Sequence, residues 1–191
     1  MSKSRVEAFS DGVVAILITI MVLELDVPEG VDAAALGPLA PVLSSYVLSF
    51  VFLGIYWNNH HHLFQAVERV NGPILWANLH LLFWLSLVPF VTAWMGQSAF
   101  AAWPTALYGG VLWMAAFAYY VLARTLVGHH GQDSLLAAAL GTDVKGRLSL
   151  VAYSAAVPLA FVRPWLAGAL YVLVAAMWLV PDRRIEEVLV R

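Results

Sequence analysis

Cysteine is absent from all 191 residues. That excludes disulfide frameworks, thiolate metal sites and thiol nucleophiles. Charge is nearly as scarce: Asp, Glu, Lys and Arg make up 12% of the chain, against about a quarter in soluble domains. A formal net charge of −2 offers no basic footprint for nucleic acid. Neither a His-Glu-x-x-His nor a Ser-His-Asp spacing is present, so an enzyme is not expected. Internal repeats, low-complexity tracts and linkers are missing as well. What remains is hydrocarbon: 62% of the residues are hydrophobic and the mean hydropathy is +0.80. Such a surplus needs lipid to face, and the composition predicts an all-α integral membrane protein that crosses the bilayer several times.

A spanning helix needs about 20 mostly apolar residues. Runs of that kind occupy roughly 6–25, 39–63, 73–95 and 102–127, with two shorter ones at roughly 146–162 and 164–181. Turn-formers lie between them: Pro28 and Gly30, Asn71-Gly72-Pro73, Gly96, Gly128 with Gly131, and Arg163-Pro164. The last two runs, parted only by Arg163-Pro164, read as short helices in a tight hairpin rather than a re-entrant pair. The expected organisation is a single six-helix transmembrane domain over residues 1–191. Glu7 and Asp11 at the start of the first run, and its length, argue for a retained helix rather than a signal peptide.

Basic residues orient the bundle. With the N-terminus inside, the inner segments hold Lys3, Arg5, Arg69, Arg124, Lys145, Arg147, Arg183, Arg184 and Arg191, and the outer ones only Arg163. The expectation is a multi-pass protein of the cell membrane with both termini cytoplasmic. The loop after the first helix then lies outside, and its charges are all acidic: Glu24, Asp26, Glu29 and Asp32. It is either a plain solvated loop or, with Glu24 and Asp26 nearest the helix, a mouth that concentrates cations.

Charge inside a bilayer-length helix is costly and persists where it pairs or lines an ion path. Asp11 in the first helix is therefore the residue to explain. Ile16, Thr19, Ile20 and Leu23 recur at helical spacing and form one stripe. Asp11 points about 140° away from Ile16 at about 100° per residue, so acid and stripe face different surroundings. Glu7, one turn away, repels Asp11 and demands a nearby cation or hydrogen-bond donor. Candidates of matching depth are Arg5, Arg69, the His60-His61-His62 run that closes the second helix, and Asn78 and His80 in the third. Three consecutive histidines on a helix point about 100° apart and cannot converge on one ion, so no metal site is expected.

The residues then carry a resemblance. Arg5-x-x-x-Phe9-Ser10-Asp11, Trp57-x-x-His60-His61-x-Leu63-Phe64, Leu75-Trp76-x-Asn78-Leu79 and Pro89-Phe90 resemble the bacterial, single-repeat branch of the transmembrane protein 175 family of potassium channels. The motifs cover the first three helices, about half the chain. The resemblance implies six helices per subunit and a homotetramer whose first helices line a central pore for potassium ions. It further implies an apolar constriction at Ile16, further layers at Ile20 and Leu23, and a hydroxyl layer at Thr19. Arg5, Ser10 and Asp11, with His60, His61 and Asn78, become a structural polar network rather than ion ligands. No cofactor is implied beyond the permeant ion; the partners are further copies of the chain and the lipid bilayer. The Thr-Val-Gly-Tyr-Gly loop that would supply carbonyl rings is absent.

A secondary transporter or proton-coupled carrier, with Asp11 and the histidines as relay, is the competing expectation. It is disfavoured because no repeated halves are visible in the chain.

Overall fold

The computed structural model describes residues 2–67, 69–131 and 143–179. Arg183, Arg184 and Arg191, counted above in the charge bias, lie outside the described residues. Among the described residues seven α-helices follow one another: α1 (Lys3–Leu23), α2 (Ala40–Gln65), α3 (Gly72–Ser86), α4 (Val88–Gln97), α5 (Ala102–His130), α6 (Val144–Val162) and α7 (Pro164–Leu179). A 3-10 helix, Ala33–Leu39, leads into α2. No strand occurs among the described residues. The protein is all-α; α3 and α4 together make one 26-residue span, four segments are long and apolar enough to cross a membrane, and α6 and α7 add two shorter ones, six in all.

Local chemistry sets the boundaries. Asn71 caps α3 by accepting from the Ile74 amide at 3.1 Å, and Pro73 fits the first turn, where a missing N–H costs nothing. Asp32 caps the 3-10 helix and Asp143 caps α6, each accepting an amide N–H at 3.2 Å. The third span is interrupted at Leu87, where the sequence suggested one run over 73–95. Pro89 explains the interruption: its ring clashes with the carbonyl four residues earlier and its nitrogen cannot donate. The hairpin expected from Arg163-Pro164 forms, with α6 and α7 packed together around the single extended residue Arg163. At 19 and 16 residues these are the shortest of the six segments.

Helix α5 is the centre of the bundle, packing on α3, α4, α6 and α7. A buried hydroxyl chain ties it to its neighbours. Thr92 Oγ1 lies 2.6 Å from Ser49 Oγ, which lies 2.9 Å from Tyr108 Oη, while Tyr171 donates to the Thr105 carbonyl at 2.9 Å. Each bond satisfies a group that lipid could not.

Gly96 looked like a turn-former but is a packing residue. The turn falls later, at Ala99 and Phe100, whose φ values are 49° and 60°. A Cβ at Gly96 would run into Ser45 Oγ and come within 2.8 Å of the Val42 backbone. Small residues here let α4 sit directly on α2. Gly96→Ala is therefore expected to lower stability by about 1–3 kcal/mol, the usual cost of overpacking. Thermal melting of the purified protein checks this, with Gly54→Ala as the control, because a Cβ there meets nothing within 4 Å.

Candidate permeation helix and its polar anchor

One face of α1 is buried against the rest of its own chain and the other is not. Val6, Ser10, Val14, Leu17 and Met21 are buried and recur every three or four residues. They pack on α2, α3 and α4. Ile16, Ile20 and Leu23 remain 57%, 41% and 79% exposed, and Thr19 is exposed beside them. At about 100° per residue these four lie roughly 80–180° from the centre of the buried face. The Thr19 hydroxyl donates to the Ile16 carbonyl at 2.9 Å, which leaves its oxygen lone pairs outward. Beyond the end of α1, Glu24 and Asp26 are both exposed.

Polar groups of three helices meet on the buried face. Ser10 Oγ donates to the Val6 carbonyl at 2.9 Å and accepts from Asn78 Nδ2 at 2.9 Å. Asn78 Oδ1 lies 2.8 Å from His60 Nε2. With the amide oxygen as acceptor, His60 must carry its proton on Nε2, and the chain runs in one direction from α2 through α3 to α1. The His60 ring stacks on Phe64 at 4.4 Å. Ser10, Asn78 and His60 are all buried. In a low dielectric such a fully satisfied chain fixes helix orientation, because every alternative register leaves an orphan.

Asp11 is not a member of this chain. It is exposed on its own subunit, about 100° around the helix from Ser10. Its Oδ1 accepts from the Trp57 indole N–H at 3.0 Å, and the Trp57 ring stacks with His61, which in turn bonds Gln65 at 2.8 Å. Arg5 is exposed, and His80 accepts from Trp84 on its own helix rather than joining either group. The residues expected in one network thus occupy two layers, an inner Ser10–Asn78–His60 layer and an outer Asp11–Trp57–His61 layer. Trp57 is the member that sequence reasoning missed. Its indole N–H supplies the donor that Asp11 requires.

Residues 5–89 match the family described as "Endosomal/lysosomal potassium channel TMEM175". A potassium channel of Chryseobacterium sp. (strain P1-3) is 53% identical over 187 residues, covering 98% of this chain and 97% of that one. The chain belongs to the TMEM175 family. A second relative, a potassium channel of Streptomyces collinus, is 36% identical over 91% of this chain and 89% of its own. The crystal structure of a lysosomal potassium-selective channel TMEM175 homolog from Chamaesiphon minutus superposes with a TM-score of 0.78 at 27% identity, covering 93% of this chain and 96% of that one. The TMEM175 family match includes α1, both polar layers and Pro89, and stops before α5. The structural likeness extends the TMEM175 fold over the remaining helices.

Proposed function

We propose that the chain is the subunit of a potassium-permeable cation channel whose first helix lines the pore. The observation that carries the reading is the half-covered α1, which buries one face on its own subunit and leaves Ile16, Ile20 and Leu23 bare. One helix cannot enclose an axis, so closure requires several copies in cyclic symmetry. Four copies are proposed, in keeping with the family resemblance. The two relatives named as potassium channels support the choice of ion.

In this reading Ile16 is the narrowest ring, Ile20 and Leu23 add apolar layers, and Thr19 offers hydroxyl oxygens between them. A ring of isoleucine side chains excludes water unless it widens, so one layer acts as both gate and sieve. The Ser10–Asn78–His60 layer holds α1 at the rotation that aims Ile16 at the axis. Asp11, Trp57, His61 and Arg5 lie where a neighbouring subunit meets this one. Glu24 and Asp26, brought together from several subunits, raise the cation concentration at the outer mouth. The subunit spans the cell membrane six times with both termini in the cytoplasm, as the basic residues direct, and the pore needs no cofactor.

A transporter would pair broken helices across a repeat. The α3–α4 interruption has no counterpart among the described residues. Purified protein in a planar bilayer is expected to give discrete unitary currents that reverse toward the potassium equilibrium potential. Saturating, strictly coupled flux without unitary events would favour the carrier instead.

A further inference from the structure

A cavity of about 240 Å³ opens between α2, α5 and α6, away from the exposed face of α1. It exists because α2 packs on α4 and α7 rather than closely on α5 or α6. Aromatic rings bridge the gap: Phe52 meets Tyr153 and Tyr56 meets Tyr119, both edge-on. Most of the lining is apolar, but four tyrosines, Tyr56, Tyr119, Tyr120 and Tyr153, contribute to it. Tyr119 donates to the Asn59 carbonyl at 3.2 Å. Tyr56 and Tyr153 line the cavity without a hydrogen-bond partner among the described residues, and Tyr153 is only 2% exposed. A phenol so deeply buried normally finds an acceptor. Here the cavity is the direction in which one can be supplied.

The cavity lies toward the basic end of the bundle. Arg147 is part of its wall, and Arg124 sits 5.2 Å from the ring of Tyr120, another wall residue. Both guanidiniums act electrostatically on Asp143, whose Oδ1 already accepts the Gly146 amide. Among the described residues, Arg147 and Arg124 against the Asp143 carboxylate leave a positive rim around an aromatic interior, at the start of α6 where the span leaves the bilayer. A free inorganic anion would match the rim but not the interior, and an apolar solute would match only the interior. An amphiphile with an anionic head matches both.

We propose that this cavity binds an anionic phospholipid, its phosphate held by Arg147 and Arg124 and part of one acyl chain lying among Tyr56, Tyr119 and Tyr153. The phenol hydroxyls of Tyr56 and Tyr153 donate to the ester or phosphate oxygens. The inference rests on the six-span reading of the chain, but not on what the pore conducts. Binding between α2, α5 and α6 would brace the helices behind α1.

The test uses purified full-length protein, delipidated in detergent. Retention of dioleoylphosphatidylglycerol or dioleoylphosphatidylcholine is measured by native mass spectrometry, and melting temperature is recorded with each. The expected result is about fivefold preferential retention of the phosphatidylglycerol for each cation engaged. Arg147→Gln should cut that preference by about fivefold. Tyr153→Phe, which keeps the ring, should weaken retention without lowering the melting temperature of lipid-free protein. Equal retention of the two lipids by the wild type overturns the proposal, and so does an Arg147→Gln protein that keeps its preference. Inorganic phosphate that displaces the lipid at equal concentration overturns it as well, by making the rim a free-anion site. The readout is lipid mass and melting, so its failure is distinct from failure of the channel reading, which is read in current.

Discussion

Replacing Ile16 by asparagine is expected to raise potassium conductance several-fold and to erode discrimination against sodium. The reasoning starts from the exposed stripe on α1, where Ile16 is 57% exposed on its own subunit. In the proposed assembly that side chain would face its own equivalents and form a dry ring. An ion crossing the ring must shed water without compensation, and a barrier lower by about 1.4 kcal/mol means about tenfold faster passage. An amide at this position offers a carbonyl oxygen in place of a methyl group, so part of the lost hydration is returned. Potassium sheds water more readily than sodium, and the apolar ring exploits that difference; a polar ring weakens it. Single-channel recording of Ile16→Asn protein in potassium and sodium gradients measures both effects. Conductance and reversal potential equal to those of the wild type would remove Ile16 from the gate.

Asn78→Ala is expected to have the largest effect on stability among single changes in the polar layers. Asn78 is the middle of the inner layer, giving 2.9 Å to Ser10 and taking 2.8 Å from His60. Its loss strands the His60 Nε2–H in a buried position, while Ser10 keeps its bond to the Val6 carbonyl. An orphaned buried donor costs about 1–3 kcal/mol. Polar contacts inside membrane bundles average lower, about 0.6 kcal/mol, but here two bonds and the rotation of α1 go together. The expected result is a melting temperature several degrees lower, with unitary currents that become heterogeneous as α1 loses its fixed rotation. Ser10→Ala should do less, because it removes one acceptor and leaves the Asn78–His60 pair intact. An Asn78→Ala protein that melts and conducts like the wild type would show that packing alone orients α1.

Much of the fold was legible because lipid simplifies the code. Length and hydropathy alone delimit a span, so the run at about 102–127 became α5, Ala102–His130, and the run at about 39–63 became α2, Ala40–Gln65. The hairpin at Arg163-Pro164 was readable for the same reason. The break at Leu87 was not read, although Pro89 was in plain view: hydropathy does not fall at a proline inside an apolar run. Gly96 was misjudged because a glycine that ends a helix and one that admits a neighbouring helix look alike in sequence.

The polar layers mark a different limit. Helical phase gives the direction of a side chain but not what stands there. Ser10 and Asp11 are adjacent, so phase alone separates them by about 100°; only the packing of α2 and α3 decides that Ser10 meets Asn78 while Asp11 meets Trp57. Trp57 could have been suspected, since it lies one turn from His61 and two turns inside the end of α2. The cavity between α2, α5 and α6 had no sequence signal at all, because it arises from helices that fail to touch.

The absence of cysteine provides the sharpest test of the pore assignment, since a single introduced thiol is the only one in the protein. Ile16→Cys channels should be recorded in a bilayer while a membrane-impermeant, charged methanethiosulfonate reagent is applied. Phe83→Cys, on an exposed position of α3, is the comparison. If α1 lines the pore, the reagent abolishes most of the potassium current through Ile16→Cys and leaves Phe83→Cys unchanged. Full current through modified Ile16→Cys, with thiol labelling verified by mass, would contradict a pore built from the first helix.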